Sequence, residues 1–181
     1  MSSTQEEKFS SSVELIVAEY ESLREEILKL TEIQSQIVVL ALVSFGTILT
    51  FGTQYKNAQV ILMYPVLVLF LAIGWATNAH GIDMLGSYIQ NQIELKVGTE
   101  NIGWEHFSRK DKISHSLIAF WGSRAIFPVS QIIALAASLS LLDFNALTIT
   151  LLVIALLSTV LCILFFGRMA WSQAQGKRLV I

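Results

Sequence analysis

Charge is scarce in this chain. Asp, Glu, Lys and Arg make up 14% of its 181 residues, where a soluble domain carries about 25%. The twelve Lys+Arg nearly balance fourteen Asp+Glu, which argues against a general nucleic-acid binder working through a basic patch. Only two prolines occur, so long helices meet few interruptions. The one cysteine, Cys162, excludes an intramolecular disulfide and a cysteine-based zinc cluster. Catalytic signatures are missing as well: there is no Walker loop, G-x-G-x-x-G or H-E-x-x-H, and no G-x-S-x-G elbow. Two-residue pairs such as His80/Asp83 and Asp111/His115 have ligand-like spacing but fall short of a metal site. Cys162 lies in an apolar run where a thiolate is poorly solvated, which speaks against a nucleophile. No cofactor is expected, and the chain is not read as an enzyme.

What is present is hydrophobic sequence, 54% of the residues, gathered into four stretches without Asp, Glu, Lys or Arg: 33–55, 57–81, 125–142 and 144–167. A helix needs roughly 20 apolar residues to cross a hydrocarbon core of about 30 Å. The expectation is an all-α fold, a polytopic four-helix membrane bundle forming a single membrane domain. Its spans are placed at about 33–54, 58–79, 124–142 and 145–167, the third being the shortest. No basic segment or cleavage site precedes the first span, so it is expected to be retained. Eleven Lys and Arg fall on one side of these spans, while Lys56 alone falls on the other. The positive-inside rule then puts both termini in the cytoplasm.

Outside the spans, segments of about 12–32 and 80–123 are expected to extend as a cytoplasmic stalk. In the first, Val13, Ile16, Tyr20, Leu23, Ile27, Leu30 and Ile37 step by three and four, a heptad seam with Gln34 as its polar position. The seam packs either on neighbouring helices of the same chain or on a second copy. Ser10, Ser11 and Ser12 offer N-caps, and Glu14 completes a capping box with Ser11. No proline interrupts 13–51, so one helix runs from stalk into membrane. Beyond the second span, Ile82, Leu85, Ile89 and Ile93 keep helical spacing. Gly98 then serves as a C-cap, Trp104 as a seam or interface residue, and Asp111 as the next helix cap.

Polar residues near a span are candidates for function. Asn78, His80, Asp83 and Arg124 form a candidate belt at the cytoplasmic mouth, with Asp83 and Arg124 suited to pairing. Pro128 frees the carbonyl of Arg124 and is the candidate hinge. Salt-bridged anchoring at the interface is the plainer alternative for the belt. Asp143 reads as a turn or capping residue between the last two spans. Ser130, Ala134, Ala137 and Ser138 in the third span, and Ser158, Thr159 and Cys162 in the fourth, suit close helix packing in lipid. A polar pore lining is the sharper alternative.

At Tyr64-Pro65, Trp75-Ala76-Thr77-Asn78 and Gly103-Trp104-Glu105-His106-Phe107, the chain resembles small bacterial four-span proteins without an assigned activity. Its layout is also similar to membrane effectors of bacterial defence systems, which oligomerise and permeabilise the inner membrane. The acidic heptad helix and the small-residue face of the third span point to a homo-oligomer, and the expected function is an ion channel or pore with a cytoplasmic sensing or docking stalk. The alternative is a non-conducting scaffold or accessory subunit that recruits a cytosolic protein. The expected partners are the lipid bilayer, further copies of the chain and such a protein, with no nucleic acid among them.

Overall fold

The computed structural model describes residues 3–94, 116–143 and 145–176. The expectations placed on Gly98, Trp104, Asp111, His115 and the 103–107 motif lie outside these residues. The described chain is all-α, with four helices: α1 (Ser3–Gln54), α2 (Ala58–Tyr88), α3 (Ser116–Leu139) and α4 (Ala146–Gly176). A π-helical segment, Ile89–Glu94, follows α2.

Helix α1 runs for 52 residues, about 78 Å at 1.5 Å per residue. It begins at Ser3, so Ser10, Ser11 and Ser12 lie inside the helix and do not cap it. The preceding Gln5-Glu6-Glu7-Lys8 explains the correction. These residues favour helix, and acidic side chains suit its N-terminal end.

Among the described residues, three helices are long and apolar enough to cross a membrane, within Ser10–Gln54, Ala58–Ile93 and Ala146–Met169. These are candidate spans of a multi-pass membrane protein. The apolar part of α3, Arg124–Leu139, is shorter, about 24 Å of helix. It stops before the expected end at 142. Ser138 and Ser140 donate to the carbonyls of Leu135 (2.7 Å) and Ala137 (2.9 Å), and the N–H of Leu141 donates to Ser138 at 3.0 Å. Bonds of this i−3 type tighten and close a last turn.

The chain divides into two compact units. The first comprises Met1–Ser35 and Ala76–Ser116. Within it Gly81 lets α1 and α2 approach: a Cβ there would lie 3.3 Å from the Leu30 side chain. Ile89 is fully buried, and the exposed Tyr88 hydroxyl donates to Glu19 at 2.7 Å.

The second unit comprises Gln36–Trp75 and Leu117–Ile181. Its interior mixes large apolar side chains, among them Ile61, Leu62, Val68 and Phe127, with small and polar ones, and its exterior is strongly apolar. The buried residues include Ala41, Ala72, Ala134, Ala155, Ser130, Ser138, Ser158 and Thr159. Phe70 (68% exposed), Leu147, Leu157, Leu161 and Leu164 face outward. Large exposed apolar area is a penalty in water but not in lipid, where small residues allow backbones to approach closely.

Short connections set the antiparallel order of this unit. Helix α1 ends in a Schellman arrangement: the N–H of Asn57 donates to the carbonyl of Gly52 (2.8 Å), and that of Lys56 to Thr53 (3.2 Å). Lys56 occupies the left-handed position, φ 49°. Asn57 then caps α2 by accepting from the N–H of Gln59 at 2.9 Å. At the start of α4 the cap is Asn145, whose Oδ1 accepts from the N–H (2.8 Å) and the hydroxyl (2.9 Å) of Thr148. The capping role read for Asp143 therefore belongs to Asn145. Asp143 contributes the turn, its carbonyl accepting from the N–H of Asn145 at 2.8 Å.

Candidate functional site

The interior of the second unit carries a file of polar groups. It begins where Gln59 of α2 donates to Thr148 of α4 at 3.1 Å. On α4, Thr148, Ala155, Thr159, Cys162 and Phe166 are all buried. They step by seven, four, three and four, so one face of the helix carries them all. On α3 the buried Ser138, Ala134, Gln131 and Phe127 do the same in reverse. The two helices meet in antiparallel register: the Gln131 carboxamide is turned to Cys162, and four residues further along each helix the rings of Phe127 and Phe166 stack at 5.7 Å. Of the residues assigned to packing, Ser130, Ala134 and Ser138 on α3 and Ser158, Thr159 and Cys162 on α4 are buried. Ala137 is only half-buried.

Helix α2 closes the other side of this file. The Tyr64 hydroxyl donates to the Ser130 hydroxyl at 2.9 Å, and Ser130 donates to the Phe127 carbonyl at 3.1 Å. Tyr64 also lies 3.3 Å from the carbonyl of Ala41 on α1. Its ring packs on Phe45 at 5.3 Å. Toward the far end Trp75 meets both Phe127 and Phe166, at 6.1 Å in each case. The Arg124 guanidinium lies 5.4 Å above the Trp75 ring, the placement a cation favours over the electron-rich face of an indole. Nothing in the spacing of Trp75, Phe127 and Phe166 shows that they converge, because each comes from a different helix. Gln131 was also missed: one glutamine in an apolar run carries no periodic signal.

The belt residues divide between the units. Asn78 is half-buried on α2, and His80 and Asp83 are exposed there, all in the first unit. Arg124 belongs to the second, at the Trp75 ring. The Asp83–Arg124 pairing remains an expectation of the sequence. Pro128 lies inside α3, and the helix continues on both sides of it. Of the stalk seam, Tyr20, Leu23, Ile27 and Leu30 are half-buried, whereas Val13 (43%) and Ile16 (40%) are exposed. Arg24 folds back over Tyr20, its Nε donating to the phenol oxygen at 3.1 Å with the guanidinium 5.1 Å from the ring. Among the described residues, no three His, Cys, Asp or Glu side chains gather as metal ligands.

No protein-family model, curated protein or solved structure matches the chain. Any functional reading therefore rests on the chain's own residues.

Proposed function

We propose that this chain is an inner-membrane protein of four spans with both termini cytoplasmic. It assembles as a homo-oligomeric ion channel or pore, and its stalk senses a signal or docks a partner. One observation carries this reading. The polar side chains of the second unit, from Gln59 and Thr148 to Gln131 and Cys162, lie inside a bundle whose outer surface is Leu, Ile, Val and Phe. Buried polar groups are costly in a lipid-spanning bundle, and a water-lined passage is one use that justifies them. In this reading the apolar part of α3, Arg124–Leu139, is the third and shortest span. The belt of Asn78, His80, Asp83 and Arg124 stands at the mouth, and Pro128 supplies the hinge. No catalytic role is assigned.

Single-channel recording from the purified protein in planar bilayers tests the proposal. Discrete currents are expected, and their open probability should change in Asp83→Asn and Arg124→Gln. Absence of current from correctly assembled protein overturns it. Mass measurement in detergent tests the assembly, and a single-chain mass at working concentration excludes the oligomer.

A second reading, a scaffold that recruits a cytosolic protein, is favoured by the surface of α1 in the first unit. There Leu15 (69% exposed), Val17 and Leu28 stand outward among Glu14, Glu21 and Glu25. Assembled protein that passes no current would favour this reading.

A further inference from the structure

Gln131 is fully buried in α3, yet neither its side-chain oxygen nor its nitrogen has a hydrogen-bond partner of good geometry among the described residues. The Cys162 thiol, a weak donor and weak acceptor, is its neighbour on α4. Hydroxyls along the seam have committed their protons locally: Ser130 to Phe127, Ser138 to Leu135 and Thr159 to Ala155, at 3.1, 2.7 and 2.9 Å. Ser130 also accepts from the Tyr64 hydroxyl, so the seam offers Gln131 no spare proton from these groups. A primary amide left without partners is expensive inside an apolar bundle, and a water molecule that both donates and accepts is the smallest species able to satisfy it.

We propose that Gln131 and Cys162 form the water-binding station of a polar path running inside each chain, and that Trp75, Phe127 and Phe166 are its closed end. The inference deepens the channel reading, on which its transport role rests, by placing the path within one chain instead of on an oligomer axis. The path enters at Gln59 and Thr148, where polar side chains from α2 and α4 meet. It continues past Ser138 and Thr159 to Gln131. One helical turn further, three rings in mutual contact, with centroids 5.7 to 6.1 Å apart, replace the polar groups. A hydrophobic constriction of this kind stops water and ions by dewetting. Phe127 directly precedes Pro128, which has no N–H to give to the helix.

The chain's one cysteine makes the test direct. A charged, membrane-impermeant methanethiosulfonate is applied to oriented proteoliposomes from the Arg124 side, beyond the three rings, and modification of Cys162 is followed by mass. The wild type is expected to react slowly, and Phe127→Ala and Phe166→Ala at least tenfold faster. Phe127→Leu and Phe166→Leu, which retain bulk in case the alanine variants misfold, should fall between. Adding Gln131→Leu to an accelerated variant should slow modification severalfold. The control is Leu161→Cys in a Cys162→Ser background, because Leu161 faces outward, 55% exposed. It should resist the charged reagent. Equal rates in wild type and every ring variant overturn the proposal. So does an equal acceleration at the Leu161→Cys control, or an unchanged rate with Gln131→Leu. Single-channel currents from a protein whose Cys162 is never modified also overturn it, while leaving the channel reading intact. Accelerated modification without current supports the internal water station and removes the channel reading instead.

Discussion

Gln59 donates its side-chain amide to Thr148, and this 3.1 Å bond links the first turn of α2 to the first turn of α4. Thr148 is itself held by Asn145 through both its N–H and its hydroxyl. One buried threonine therefore serves a helix cap and an interhelical tie. Thr148→Val keeps the shape but removes the hydroxyl. It should destabilise the bundle by about 1–2 kcal/mol in detergent unfolding. A double-mutant cycle with Gln59→Ala should give a coupling of about 0.5–1.5 kcal/mol. Additive effects would show that the bond does not contribute.

Asn145→Ala removes the cap of α4, which is expected to cost about 1 kcal/mol. Asp143→Ala should cost much less, since Asp143 takes part through its main-chain carbonyl. Equal losses in the two variants would return the capping role to Asp143.

Lys56 holds a positive φ of 49° at the end of α1, a conformation that costs a residue with a Cβ about 1–2 kcal/mol. Glycine avoids that cost and gives part of it back as chain entropy in the unfolded state. Lys56→Gly should stabilise the protein by roughly 0.5–1 kcal/mol, measured as a raised midpoint of detergent unfolding. A lowered midpoint would mean that the lysine side chain contributes more than its backbone conformation costs.

At Gly52 the helices α1 and α2 are in near contact, and an added Cβ would run into the side chain of Ile61. Gly52→Ala forces the buried isoleucine to move and should cost about 1–3 kcal/mol. Shortening the obstacle with Ile61→Ala in the same chain should recover part of that loss. A Gly52→Ala protein as stable as wild type would show that the contact relaxes freely.

In the first unit the Tyr88 phenol is held above its ordinary value of 10.0, first by its hydrogen bond to Glu19, then by that carboxylate's charge, with desolvation adding least. The folded state therefore holds this proton more tightly than the unfolded chain does. The bond's contribution is fully present below the unfolded value and is lost as pH rises through the raised one. In an ultraviolet tyrosinate titration, the difference between wild type and Tyr88→Phe should show a midpoint above 10.0. Glu19→Gln should bring it back down. A difference midpoint at or below the ordinary value would dissolve the pairing.

Much of this architecture was legible in the sequence. The gaps between charges located the apolar helices, and the absence of proline over 13–51 announced that α1 is continuous. Seam spacing picked out Tyr20, Leu23, Ile27 and Leu30, and the small and hydroxyl residues of the last two helices marked their packing faces. These are local properties. Without water to bond the backbone, a chain in lipid satisfies its N–H and C=O groups within each segment, so apolar length and helix are nearly one signal.

Which way each helix turns was decided by the tertiary structure. In water an apolar stripe points inward, but lipid is as apolar as leucine, and hydrophobicity no longer separates inside from outside. Packing alone makes that choice. It buries Gln131 against Cys162, sends Leu161 outward, and brings Trp75, Phe127 and Phe166 together from three helices. The cap at Asn145 and the π-helical segment Ile89–Glu94 were likewise set by geometry around them. Residue spacing records the turns of one helix; it holds no record of the side chains that another helix brings to meet it.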